Sequence, residues 1–214
     1  KTFNLIHHAP DSNFSITFLF SKLLCYIINF QKTPNITVSN ASKFELENNI
    51  PLGNFHVIYN GLNESERKIP LDFYKKLSLK KNKLIVGSIG PLDLHKGHET
   101  IIMAFNKSEF LKKNAYFIIV GKGSSERVQD LKKLIYKLKL NENIFLTGFI
   151  NKPSNQIISG FDVFVMPTKD FEGFGYSMAE AMLEGVPILA SNVGAISEII
   201  INKKNGILIN SNDI

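Results

Sequence analysis

The sequence predicts an α/β protein built on a doubly wound parallel sheet, and three observations lead there. Short apolar runs suited to strands buried on both faces recur at 84–89, 116–120, 144–146, 163–166 and 187–190. Helical stretches separate these runs. In the clearest, Val128, Leu131, Leu134, Ile135 and Leu138 share one face, with Lys132, Lys133 and Lys137 off it, at a helical period. Strand–helix alternation of this kind is the pattern of right-handed crossovers feeding a parallel sheet.

The first sixty residues continue the theme less regularly. They suggest a strand at 3–6, an apolar helical stretch, a strand at 36–39, a helix at 42–48 and a strand at 56–59. Asn60-Gly61-Leu62-Asn63 reads as a turn, and a charged stretch containing Pro70 follows it. The expected division is therefore a first unit at 1–63, a linker at 64–80 and a second unit at 81–214.

Composition narrows the functional classes. The chain has 214 residues, 44% hydrophobic and 21% charged, enough for one core and part of another and too apolar for disorder. Its net charge of +6 comes almost wholly from lysine, since Arg67 and Arg127 are the only arginines. Nucleic-acid surfaces rely on forked guanidinium groups, so no nucleic-acid partner is expected. A lysine-rich surface suits anionic substrates or an anionic membrane. Cys25 is the only cysteine, which excludes an internal disulfide and a cysteine metal cage.

Between residues 14 and 30 only Lys22 is charged, a run at the short limit for a membrane span. Ser15, Thr17, Ser21 and Asn29 interrupt it, so a core or interfacial helix is expected, leaving peripheral membrane contact open. No secretory signal is visible, and a cytoplasmic location is expected. The opening at Lys1 and the stop at Ile214 read as the bounds of a fragment.

In a doubly wound sheet, ligands bind outside the carboxyl ends of the strands, so chemistry belongs in the loops after them. The most informative loop runs over residues 167–175 and leads into a helix at 176–184. Gly173 and Gly175 let the backbone approach a ligand, and the helix start presents N–H groups to an anion. Glu172 and Glu180 bracket that helix start, where carboxylates are placed to accept from vicinal hydroxyls. Either glutamate alone would read as a solvated surface carboxylate; the spacing around a glycine-rich loop is what points to a site.

The segment Glu172-Gly-Phe-Gly-Tyr-Ser-Met-Ala-Glu180 resembles the E-x7-E signature of family 4 glycosyltransferases, the group 1 family with the two-domain GT-B fold. The resemblance continues through Asn192-Val-Gly194-Ala-Ile-Ser-Glu198 and Asn205-Gly206. Upstream it takes in Gly87-Ser-Ile-Gly90, Lys96-Gly97-His98, Ile119-Val-Gly121-Lys-Gly123 and Leu146-Thr-Gly148-Phe149. It implies a C-terminal Rossmann-like donor domain preceded by the last part of an N-terminal Rossmann-like acceptor domain.

By this resemblance Glu172 holds hydroxyls of the transferred sugar and Glu180 the ribose. The amides of Phe174, Gly175 and Tyr176 cradle the diphosphate. Lys96 adds a positive charge beside Gly90, and Gly148 and Phe149 pass near the base. His7 best matches a histidine placed near the anomeric carbon, with His8 as the fallback. The implied reaction is retaining transfer of a hexose from a UDP- or GDP-linked donor to a hydroxyl acceptor, a glycan or lipid-linked sugar. The implied products are polysaccharide, lipopolysaccharide or glycolipid, and no metal or other cofactor is implied.

One position departs from the family. Where an arginine usually follows the glycine of the first donor loop, this chain has Pro91, which removes half of the usual cationic clamp. Losing such a charged contact costs about 1.5–3 kcal/mol. Two other readings stay beside the transferase: a sugar-nucleotide-binding partner subunit without turnover, and a nucleotide-sugar 2-epimerase.

Overall fold

The computed structural model describes residues 4–6, 34–49, 54–63 and 69–211. His7, His8, Cys25 and the apolar run at 14–30 lie outside the described residues. The described residues form two parallel sheets. The first joins β1 (Asn4–Ile6), β2 (Asn35–Thr37) and β3 (Phe55–Val57) in that order, with helix α1 (Asn40–Asn49) between β2 and β3.

The second sheet has six strands: β4 (Leu84–Ile89), β5 (Ala115–Val120), β6 (Ile144–Gly148), β7 (Val163–Met166), β8 (Ile188–Ser191) and β9 (Ile207–Ile209). Their spatial order is β6-β5-β4-β7-β8-β9, all parallel, so the winding reverses between β4 and β7. Two of the expected strands, at 84–89 and 163–166, coincide with β4 and β7. β9 was not expected, because three partly exposed residues after Gly206 carry too short a pattern.

Both faces of this sheet are covered, which is why its strands read as continuous apolar runs. β5 is buried at every position. Tyr116, Ile118 and Val120 join a core on one face with Phe161, Phe164 and Met178. Phe117 and Ile119 join a core on the other with Leu92, Phe105, Leu131 and Ile135. The last two come from helix α5 (Ser125–Lys137), whose buried face matches the periodicity of its sequence.

The linker expected at 64–80 is, over its described part, built onto the second sheet. Asp72 caps a short helix, α2 (Phe73–Leu77), by accepting from the Lys75 amide at 2.9 Å. Phe73 is 1% exposed and stacks on Phe161 with ring centroids 5.1 Å apart. The Leu71 amide donates to the Gln156 carbonyl at 2.8 Å. Lysines on either side of these few apolar residues hid the buried face from a pattern search.

Candidate functional site

A cavity of about 300 Å³ lies at the switch point, where the carboxyl ends of β4 and β7 part. β4 delivers Ser88 to Pro91 to its wall, and β7 delivers Met166, Pro167 and Thr168. The rest of the wall includes Lys96 and His98, the glycine-rich loop, and the start of helix α7 (Tyr176–Leu183). A second cavity of about 330 Å³ shares Ile89, Gly90 and Pro91 with the first, so the two form one cleft divided by that loop.

The helix start is shaped for an anion. Gly175 is the N-cap of α7 and offers no side-chain cap; its carbonyl accepts from the Met178 and Ala179 amides at 3.1 and 3.0 Å. The amides of Tyr176 and Ser177 precede these first intrahelical bonds, where the helix dipole is most positive. Gly175, Tyr176 and Ser177 all line the first cavity.

Lys96 and Glu172 meet in the same cavity, with Nζ 2.7 Å from Oε2 and side chains only 21% and 12% exposed. Lys96 ends a single 3-10 turn, Leu94–Lys96, which the loop after β4 makes before helix α3 (His98–Lys107). Glu180 faces the cavity one turn into α7 and accepts from Ser154 Oγ at 2.7 Å. Gly90 and Lys96 are thus brought together with Glu172, Gly175, Tyr176 and Glu180, which lie some eighty residues further along the chain.

Of the other expected site residues, Phe149 is 63% exposed and lines the second cavity, with Lys122 Nζ 4.8 Å from its ring centroid. Gly148 and Phe174 line neither cavity. The Gly148 carbonyl accepts from the Gly121 amide at 3.1 Å, and Phe174 is buried with Val38 and Ala179. Gly121 permits a very close approach here, because a Cβ on it would lie 1.7 Å from the Gly90 carbonyl oxygen.

Ser88, His98, Thr168 and Ser177 are polar residues of the cavity that were not among the expected site residues. Ser177 is the second residue of α7. Thr168 is fully buried, and no partner for its Oγ1 is found among the described residues. His98 Nδ1 is likewise buried without a partner among those residues, and burial pushes the imidazole down to about 4, so the ring is neutral at pH 7. Ser177 and His98 fall inside the Glu172–Glu180 and Lys96-Gly97-His98 segments, whereas Thr168 is marked only by its place after Pro167.

The position of Pro91 also looks different in three dimensions. Arg127, remote in sequence, donates from Nε to the Leu92 carbonyl at 2.7 Å. Its guanidinium lies 2.5 Å from Glu99, and Lys169 approaches the same carboxylate at 3.9 Å. Burial acts to raise the Glu99 carboxyl, but the Arg127 hydrogen bond and charge hold it below its ordinary value. Arg127 therefore fastens the loop, and lines neither cavity. No cluster of three or more His, Cys, Asp or Glu side chains placed to hold a metal occurs among the described residues. No described helix is long and apolar enough to cross a membrane.

Residues 72–214 match the sequence profile of the family described as Glycosyl transferases group 1. An uncharacterized glycosyltransferase of Methanocaldococcus jannaschii is 32% identical over 192 residues, covering 85% of this chain and 48% of the relative. The O-antigen biosynthesis glycosyltransferase WclY of Escherichia coli is 26% identical over 152 residues, covering 70% of this chain and 41% of WclY. The chain thus spans about half or less of the length of these relatives. Among solved structures, Anabaena HepE in complex with UDP and glucose superposes with a TM-score of 0.83 at 22% identity, over 97% of this chain and 57% of HepE. That likeness shows the fold, which is the GT-B fold. With the profile covering two thirds of its length, this chain belongs to the group 1 glycosyltransferases.

Proposed function

We propose that the protein is a retaining glycosyltransferase that moves a hexose from a nucleoside-diphosphate sugar to a hydroxyl acceptor in surface polysaccharide or lipopolysaccharide synthesis. One observation carries the reading: Lys96, Glu172 and the open start of α7 converge on a single cavity at the switch point. A cation, a helix N-terminus and a carboxylate are the three groups that a leaving diphosphate and a sugar ring require. Cleavage of the bond between the anomeric carbon and the diphosphate develops negative charge on the leaving oxygen. Lys96 and the Tyr176 and Ser177 amides are placed to stabilise that charge without moving.

In this reading Glu172 turns from Lys96 to the sugar hydroxyls once the diphosphate supplies Lys96 with a new partner. Glu180 accepts from the ribose, and the Phe149 side of the cleft takes the base. UDP is the favoured nucleotide, since HepE was solved with UDP and with UDP-glucose. The acceptor is a glycan or lipid-linked sugar, and work at the cytoplasmic membrane face goes with it. Capsular and O-antigen relatives support that setting.

Saturation-transfer NMR against a panel of sugar nucleotides tests the donor site. Transfer to one UDP- or GDP-sugar that fades in Glu180→Ala is expected. A folded protein that transfers no saturation to any of the donors would remove the reading.

A further inference from the structure

Glu198 lies on the second unit, in the four-residue helix α8 (Ile196–Ile199), yet its carboxylate is spent on the first. Oε1 accepts from the Ala41 amide at 2.7 Å. Oε2 accepts from the Asn40 amide at 2.9 Å, the Asn40 side-chain amide at 3.1 Å and the Tyr59 hydroxyl at 2.8 Å. Ser39 supplies the rest of the α1 cap, its Oγ accepting from Ser42 N–H at 3.0 Å and its carbonyl from Lys43 N–H at 3.0 Å. Lys43 N–H makes the first intrahelical bond, and the Asn40, Ala41 and Ser42 amides ahead of it are satisfied, two of them by a residue 157 or 158 positions away. α1 has no acidic residue of its own in its first turn, so Glu198 is also the anion that its dipole meets there.

The other end of the α8 connection reaches the donor loop. Ala195, the residue before α8, donates its amide to the Glu172 carbonyl at 2.8 Å. Gly194 packs so closely that a Cβ on it would lie 2.3 Å from the same oxygen. A second route runs through side chains: Val38, just ahead of α1, is 1% exposed in a cluster with Phe174 of the donor loop and Ala179 of α7. Ile199, next to Glu198, packs on that cluster.

We infer that Glu198 is a positioning residue: by capping α1 across the two units it seats the first sheet against the donor loop and holds residues 172–176 in the geometry that receives the diphosphate. It touches no part of the cavity, so it acts through Ala195 and the Phe174 cluster. Burial works to raise the Glu198 carboxyl, yet the Ala41 and Asn40 amides hold it below its ordinary value, as expected for a carboxylate committed to helix amides. The ligand half of this inference rests on the donor reading above, whereas the mechanical half does not.

The test is amide hydrogen exchange on the whole chain and on Glu198→Gln, with UDP as the ligand probe. Gln keeps the shape but offers one acceptor oxygen where the carboxylate offers two. Expected are exchange at Asn40 and Ala41 faster by about tenfold, faster exchange across residues 174–176, unchanged protection at Ile118 and Ile119, and UDP binding weaker by about fivefold. Tyr59→Phe, which removes one of the four bonds, should give the same pattern at smaller amplitude. The inference is overturned if exchange at 40–41 rises while 174–176 and UDP affinity stay put, or if 40–41 does not respond. Should Glu198→Gln lose protection at Ile118 as well, Tyr59→Phe decides by the same criteria. If the unmodified chain does not bind UDP, the donor reading fails, and the coupling is judged on exchange at 174–176 alone.

Discussion

Lys96 Nζ sits 2.7 Å from Glu172 Oε2, joining the cation expected to meet the donor's diphosphate to the carboxylate expected to hold its sugar. Each neutralises the other where both side chains are mostly buried, so neither is left as an unpaired buried charge. On the proposed donor reading, binding would exchange this one ion pair for a Lys96–diphosphate and a Glu172–sugar contact.

Lys96→Ala should cost donor affinity about 1.5–3 kcal/mol, or roughly tenfold to 150-fold, because it removes a charge-assisted contact and leaves Glu172 unpaired. Isothermal titration with UDP reads the effect directly. Lys96→Arg should recover only part of it, since the longer planar fork must displace Glu172 from its present position. Equal UDP affinity in all three proteins would show that Lys96 does not meet the nucleotide.

Gly194→Ala should destabilise the fold and weaken UDP binding together. The added Cβ would lie 2.3 Å from the Glu172 oxygen and 2.6 Å from its nitrogen, and the residue sits at φ +53. The backbone strain alone is worth about 1–3 kcal/mol, before any displacement of the donor loop. Thermal melts with and without UDP check both parts; a melt unchanged within error would contradict the packing described.

Phe73→Ala should lower stability by about 3–5 kcal/mol, the range for deleting a fully buried aromatic side chain. Urea unfolding is the measurement. A loss below about 1 kcal/mol would mean that residues 69–79 are a tether after all.

His98 makes the fold acid-sensitive. Its pKa falls from 6.5 to about 4 on folding because burial disfavours the charged ring. Between those values the unfolded chain binds a proton that the folded one does not, so stability rises with pH there. The contribution is full above 6.5 and is lost as the pH falls toward 4, amounting to roughly 3 kcal/mol. His98→Asn, which takes up no proton, should flatten the pH dependence of urea midpoints between pH 4 and 6.5 relative to the unmodified chain. Parallel profiles would show that the ring titrates alike in both states.

The local spacing of residues was enough to determine the strand–helix alternation, because burial on both faces of a parallel sheet writes itself as apolar runs such as 84–89 and 163–166. Local spacing likewise marked the donor loop, where Glu172, Gly175 and Glu180 fall within one turn-and-helix unit. Only the tertiary structure decided that the winding reverses between β4 and β7, which is what opens a cavity beside Gly90 and Lys96. It also decided that Arg127 fastens Leu92, that Thr168 and His98 turn buried polar atoms toward no protein partner among the described residues, and that Glu198 caps α1. These relationships join residues tens to more than a hundred positions apart, and no periodicity records them. Their partners are chosen by which polar groups remain unsatisfied once the sheets have packed.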